Sequence, residues 1–242
     1  MERSELAKTH AKNKAQLRKA LNQQKLILNN SIKTGNDLQE HLSIRIYIFL
    51  YVALLETSLN HLLYYYYKQI NQKELEQILE EGSQEKRWNK LIHIIFRNNF
   101  LAKKTTKKFD LLDLGYTNFN RYMYLKQLLD SEITSFIGLR NKLSHGQWAI
   151  ALNTEGTEKV QETTTKLWTL NKKDCLHIKN IIENYLKIME CLIASKSTFI
   201  KNYDDLVHKI EFTKQTHNVS YDWIIKEMKR KYSAFDRQVK KR

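Results

Sequence analysis

The sequence predicts a mainly α-helical bundle, and three observations support this fold class. The 242 residues contain no proline and only six glycines, the two residue types that helix interiors tolerate least. Long stretches repeat apolar residues every three or four positions, which is the period of an amphipathic helix. Hydrophobic residues make up 42% of the chain, enough for a sizeable core. We divide the chain into an N-terminal helix over 1–36, a helical bundle over 37–200 and a basic helical extension over 201–242.

The first expected helix covers residues 5–33, where a thin apolar stripe runs among many Lys, Gln and Asn residues. A turn follows, with Asp37 as the predicted N-cap of the next helix. That helix, Leu38–Ile70, is apolar around most of its circumference, so we expect it to be buried. Its most apolar run, Ile46–Leu55, is ten residues long, whereas a membrane span needs roughly 20. We therefore expect a core helix and no membrane insertion.

Two polar residues, Glu56 and Asn60, interrupt this central helix four positions apart and so share a face. One interpretation is that they hydrogen-bond to neighbouring helices or lie partly exposed. The alternative is that Glu56 contacts an arginine or histidine of a functional site and so orients that side chain.

The middle of the chain contains a short acidic helix, a longer helix and a basic connection. The short helix is expected over Asn71–Gly82, and Ser83 is the predicted N-cap of the longer one. The connection Ala102–Lys108 is either a phosphate-contacting loop or a solvated one. From Asn118 the chain returns to helix. The apolar stripe after Ser83 comprises Trp88, Leu91, Ile92, Ile95 and Phe96.

Polar residues suited to chemistry cluster at the end of the following helix, in Ser131–Gly146. Gly146 is placed just past the helix, where a left-handed conformation suits glycine. Asn141 and His145 are four apart and share a face, which Gly138 joins. Glycine inside a helix costs roughly 1 kcal/mol relative to alanine, so we expect another helix to approach closely there. Two antiparallel copies of the chain meeting near Gly138 would bring arginines and histidines of both chains into one cleft.

The stretch after this helix predicts extended structure. Trp148–Leu152 and Thr163–Leu170 are alternating or rich in β-branched residues, and Asn153–Thr157 between them indicates a turn. We expect a small β-hairpin or paired extended arm beside the helix end. Asp174 is then the predicted cap of a long helix. Its apolar face comprises Leu176, Ile178, Ile181, Ile182, Tyr185, Ile188, Met189, Leu192 and Ile193.

The net charge of +15 favours a polyanionic partner, either nucleic acid or an anionic membrane surface; the alternative is a lysine-rich surface that contacts only solvent. Cys175 and Cys191 are too few for a disulfide scaffold, and the first thirty residues are too polar for a signal peptide. We therefore expect a cytoplasmic protein. The chain has no CxxC pair, no HExxH, no phosphate-binding glycine loop and no Gly-x-Ser-x-Gly elbow, so we expect no metal or other cofactor.

Arg140-Asn141, followed after three residues by His145 at the end of an apolar helix, resembles the signature of the HEPN superfamily. The family pattern is an arginine, a polar residue that is often asparagine, a short spacer and a histidine. Its members are small helical bundles, and many are metal-independent ribonucleases that act as symmetric dimers in phage defence and toxin–antitoxin systems. The resemblance implies that these three residues are catalytic and that RNA, a second copy and an antitoxin or defence-system protein are partners. Some toxin members carry a tyrosine where this chain has Gln147.

These residue types suit RNA cleavage, in which the ribose 2′-hydroxyl attacks its own phosphodiester. His145 would carry protons because an imidazole titrates near neutral pH. Arg140 would stabilise the negative charge of the transition state, and Asn141 would orient His145 or bind a phosphate oxygen. The expected products are a 2′,3′-cyclic phosphate and a 5′-hydroxyl, and DNA should not be cut. The lysines expected to contact substrate phosphates are Lys103, Lys104, Lys107 and Lys142.

Several alternatives remain. Arg140 could pair with a carboxylate while His145 only caps its helix, where the helix dipole favours a cation. A basic bundle could also bind RNA or a partner protein without chemistry of its own, or act as a purely structural dimer subunit. A second arginine–histidine pair, Arg87 and His93, is set aside because Trp88 follows the arginine.

Overall fold

A computed structural model of the protein describes residues 2–101, 110–217, 221, 223, 225–227 and 230, and it confirms that the chain is mainly α-helical. A π-helical turn, Leu129–Ile133, joins α6 to α7. The helices, in chain order, are α1 (Arg3–Thr34), α2 (Asp37–Tyr65), α3 (Gln72–Leu79), α4 (Gln84–Phe100), α5 (Leu111–Leu114), α6 (Tyr116–Leu128), α7 (Thr134–Ser144), α8 (Gln161–Thr169), α9 (Lys172–Ala194) and α10 (Lys196–Thr216).

The central helix α2 packs against α1, α7 and α9. Its N-cap is Asn36, whose side chain accepts a hydrogen bond from the backbone N–H of Gln39 at 3.0 Å; the predicted cap, Asp37, is instead the first helical residue. Among the described residues, α2 is one helix that is long and apolar enough to cross a membrane by length and composition. However, 61% of its most apolar window is buried inside the protein, which is the burial expected of a core helix.

A single hydrophobic cluster extends across the divisions expected from the sequence. Leu28 of α1 and Phe199 and Ile210 of α10 belong to the same cluster as the buried face of α2. The expected boundary at residue 200 falls inside α10, which packs along α9. The N-terminal helix and the start of the C-terminal segment therefore share their core with the bundle.

The predicted β-hairpin does not form, because its second strand is helical. Thr164 lies in α8, where its hydroxyl donates to the carbonyl of Val160 at 2.9 Å and accepts from the N–H of Ala151 at 3.0 Å. Leu167 is buried one turn further on, so burial at helical spacing outweighs the β-branched composition. Over the described residues, the only extended pairing here is an isolated antiparallel bridge between Leu152 and Lys159.

The long helix α9 begins with a capping box rather than with the predicted Asp174 cap. The side chain of Asn171 accepts from the N–H of Lys173 at 2.9 Å, and the Asp174 carboxylate accepts from the N–H of Asn171 at 2.8 Å. Asp174 thus supports the helix start from its third position.

The π-helical turn before α7 was not predicted. It leaves both Leu129 and Ile133 buried, and the hydroxyl of Thr134 donates to the carbonyl of Leu129 at 3.0 Å. A π turn inserts one residue into the helical repeat, so it sets the rotation at which α7 presents its polar residues.

Candidate functional site

Three helices meet at a polar cleft of about 300 Å³. The second half of α2 forms one wall, the first turn of α4 the second, and the C-terminal half of α7 the third. This cleft contains two of the three residues that the sequence analysis proposed as catalytic. Its lining residues are Glu56, Leu59, Asn60, Gly82, Ser83, Gln84, Glu85, Arg87, Ile137, Arg140 and Asn141.

The guanidinium of Arg140 is held from two sides. Its Nη2 forms an ion pair with the carboxylate of Glu56, and its Nη1 donates to Oδ1 of Asn141 at 3.1 Å. The Arg140 side chain is 20% exposed and that of Glu56 is 45% exposed. Burial lowers the pKa of Arg140 from its usual value. The geometry places Glu56 directly against Arg140, a contact that was expected both if Glu56 orients the arginine and if Arg140 merely pairs with a carboxylate.

Two buried N–H donors of the cleft have no acceptor in the part of the chain that the structure describes. They are Nε of Arg140 and the side-chain Nε2 of Gln84. Buried polar groups are nearly always hydrogen-bonded, and leaving one unpaired costs roughly 1–3 kcal/mol. Both residues line the cleft, so the cleft is suited to a ligand that carries oxygen acceptors.

The first turn of α4 brings an additional arginine to the same cleft. Ser83 caps the helix as predicted, accepting from the N–H of Lys86 at 3.3 Å. Arg87, which the sequence analysis set aside, donates to the carbonyls of Glu81 at 3.0 Å and Leu79 at 3.1 Å. These two bonds satisfy backbone carbonyls at the C-terminal end of α3 and just after it.

His145 lies at the C-terminal end of α7, outside the set of residues that line the cleft. Its backbone N–H donates to the carbonyl of Asn141 at 3.1 Å, and its side chain is exposed. Its imidazole makes no hydrogen bond or ion pair with the described residues. Gly146 follows with φ of +75°, which confirms the predicted left-handed glycine at the helix end. One chain thus brings Arg140 and Asn141 together and leaves His145 facing solvent.

Gly138 is exposed on α7, and a Cβ added there would meet no atom within 4 Å. Nothing in the described part of one chain therefore requires a glycine at this position. No helix in the described part of the chain makes the close approach that was expected at Gly138.

Of the four lysines expected to bind substrate, the structure describes one, Lys142. The amine of Lys142 donates to the carbonyl of Leu152. This bond links α7 to the chain segment that follows it. Lys103, Lys104 and Lys107 lie outside the described residues. Among residues 2–101 and 110–217, no group of three or more His, Cys, Asp or Glu side chains is arranged to hold a metal ion.

Comparison of the chain with protein-family models, curated proteins and solved structures finds no match. The site must therefore be judged on its own geometry.

Gln84 and Arg87 are two residues of the site that the sequence did not predict. The available signal was Ser83, because the prediction of an N-cap there also fixes these two residues, three apart, on the first helical turn. Their approach to α7 depends on how α4 packs against it, and no local pattern reports that packing.

Proposed function

We propose that the protein is a cytoplasmic, metal-independent endoribonuclease of the HEPN type that acts as an antiviral-defence or toxin effector. Its composite site would be completed by a second copy of the chain. The observation that carries the proposal is a pair of buried donors, on Arg140 and Gln84, that have no partner among the described residues and lie with Asn141 in one polar cleft. Phosphate oxygens are the acceptors that such donors suit best, and an arginine fork is the usual partner of a phosphate.

We infer roles for Arg140 and His145 from their positions, with Asn141 holding the arginine. Arg140 is held by Glu56 and Asn141, so its positive charge is pre-positioned to stabilise the extra negative charge on the phosphorus centre. His145, on the exposed end of α7, would remove the proton of the 2′-hydroxyl or protonate the leaving 5′-oxygen.

A second copy would complete the site that one chain leaves without its histidine. Gly138 leaves a bare, exposed stretch on the helix that carries Arg140 and Asn141. Two such helices crossing at their glycines would place His145 of each protomer near the cleft of the other.

The decisive experiment incubates the purified full chain with end-labelled RNA and with DNA of the same sequence in EDTA. Cleavage of RNA alone, with 2′,3′-cyclic phosphate and 5′-hydroxyl ends, supports the proposal. We expect His145→Ala to lower the rate roughly 10²- to 10⁴-fold, the usual contribution of general acid–base catalysis. His208→Ala, which removes an exposed imidazole from α10, is the matched control. Equal cleavage by the wild type and His145→Ala would refute the assignment.

A non-catalytic module that binds RNA or a protein is the second candidate, and one observation favours it. The cleft is close to electrically neutral, because Glu56 and Glu85 balance Arg87 and Arg140, and Arg140 is already paired. This candidate predicts retained RNA affinity with no turnover in the same assay.

A further inference from the structure

A second groove, of about 440 Å³, lies between α4 and α6. Lys86 and Lys90 line it from α4, where they are four positions apart and share a face. Lys126 lines it from α6, with its amine 5.5 Å from the centre of the Tyr122 ring. The one carboxylate among its lining residues is Glu81, 3.8 Å from the amine of Lys90. The α4–α6 groove therefore carries a net positive charge.

Positive charges of this groove lie close to the imidazole of His93. His93 belongs to α4, and its Nδ1 is 3.4 Å from the hydroxyl of Tyr122 in α6. Burial lowers the pKa of His93, and the nearby charges of Arg97, Lys126 and Lys90 lower it further. The fields of cations from both helices thus overlap inside the groove, which is the electrostatic condition for attracting an anion.

Apolar side chains accompany the lysines. Phe119 is partly buried at the groove, and Met123 is 46% exposed beside it. Sites for single-stranded nucleic acid combine positive side chains along the phosphate backbone with flat side chains on which bases stack. Every nucleotide offers a phosphate and a base together, whereas an acidic peptide would use this apolar surface only through additional apolar side chains of its own.

The groove is joined to the cleft of Arg140 by a short piece of chain. Glu81 lines the groove, Gly82 and Ser83 line the cleft, and the first turn of α4 separates the two. The cleft is nearly neutral, so it adds little long-range attraction for a polyanion, whereas the groove has a net positive charge and is reached through the start of α4.

We propose that the α4–α6 groove binds the single-stranded RNA segment that flanks the cleaved phosphodiester, with Lys86, Lys90 and Lys126 on successive phosphates. This inference rests on the proposed nuclease function and deepens it by naming the form of the substrate and its path over the start of α4.

The test measures binding on the full chain carrying His145→Ala, so that RNA is not consumed. Affinity for a labelled, unstructured RNA oligonucleotide is measured by fluorescence anisotropy over a series of salt concentrations. The groove variant combines Lys86→Gln, Lys90→Gln and Lys126→Gln. Each phosphate contact on a single strand contributes about 0.7 to the slope of log affinity against log salt. We therefore expect the slope to fall by about 2 and the affinity to fall roughly 10- to 100-fold at low salt.

A matched control removes the same charge elsewhere. Lys8→Gln, Lys12→Gln and Lys19→Gln change three exposed lysines of α1, and this variant should bind RNA with a slope close to that of the parent. A second control replaces the three groove lysines by arginine, which retains the charge and should retain the slope. An unchanged slope in the groove variant, or an equal loss in the α1 variant, overturns the proposal.

The binding measurements and the cleavage assay together separate the two proposals. A chain that fails to cleave RNA but loses affinity only in the groove variant refutes the nuclease and leaves the groove as an RNA-binding surface. A chain that cleaves RNA while the groove variant binds normally refutes the groove alone.

Discussion

The carboxylate of Glu56, in the middle of the central helix, pairs with Nη2 of Arg140 at the end of α7. The pair links the central helix, which packs against α1, α7 and α9, to the candidate catalytic residue. Since Arg140 also donates to Asn141, two of its nitrogens are engaged and the guanidinium has little freedom to rotate.

Glu56→Gln should therefore act on catalysis more than on folding. The pair is partly exposed, so its loss should change the free energy of unfolding by about 1 kcal/mol or less. Because the Arg140 guanidinium would no longer be held in place, kcat should fall roughly 10- to 100-fold. The change in KM should be smaller. Steady-state RNA cleavage and urea unfolding measure the two effects, with Glu162→Gln on the exposed start of α8 as the control. A variant that loses stability and activity in proportion would contradict the positioning role.

Gly138 allows a test of the second copy. Its φ is not positive and a Cβ has space, so Gly138→Ala should raise the free energy of unfolding by about 0.5–1 kcal/mol. Gly138→Arg should also fold, but its side chain would occupy the surface where the second helix is expected. Light scattering should then show monomers, and RNA cleavage should be lost. Full cleavage by Gly138→Arg would exclude a seam at this glycine.

Two buried tyrosines should respond in opposite ways to removal of the hydroxyl. The Tyr185 hydroxyl is buried and has no hydrogen-bond partner among the described residues, whereas the Tyr51 hydroxyl donates to Glu183 at 3.1 Å. Tyr51→Phe should cost about 1–2 kcal/mol, and Tyr185→Phe should leave stability unchanged or raise it by up to about 1 kcal/mol. Urea denaturation of both variants provides the comparison, and a larger loss in Tyr185→Phe would show that its hydroxyl is satisfied in solution.

Histidines should make the protein less stable in mild acid. Burial lowers the pKa of His10, His61, His93 and His217 from their usual 6.5. Each then binds its proton more tightly in the unfolded chain than in the folded one. Their contribution to stability is complete above pH 6.5 and is lost as the pH falls below it. Urea midpoints measured between about pH 8 and pH 5 should decline below 6.5, and His61→Gln should flatten part of the decline. A constant midpoint would contradict the lowered pKa values.

Features that depend on neighbours in sequence were predictable. The helical class, the burial of the central helix, the Ser83 cap and the left-handed Gly146 all follow from apolar periodicity and from backbone preferences within one or two turns. The adjacency of Arg140 and Asn141 is likewise a property of the chain itself. The same local reasoning misjudged Thr163–Leu170, because β-branched composition predicts a strand, whereas burial of Leu167 and the threonine hydrogen bonds favour a helix.

The sequence by itself determined the helical class, most of the helical segments and which polar residues end α7. Only the tertiary structure decided that Glu56 reaches Arg140, that the first turn of α4 brings Gln84 to the cleft, and that Lys126 faces Lys90 across a groove. The physical reason is the range of the forces. Helical hydrogen bonds join residues four apart, whereas the cleft depends on packing between helices that are distant in sequence and on the rotation that the π-helical turn gives to α7.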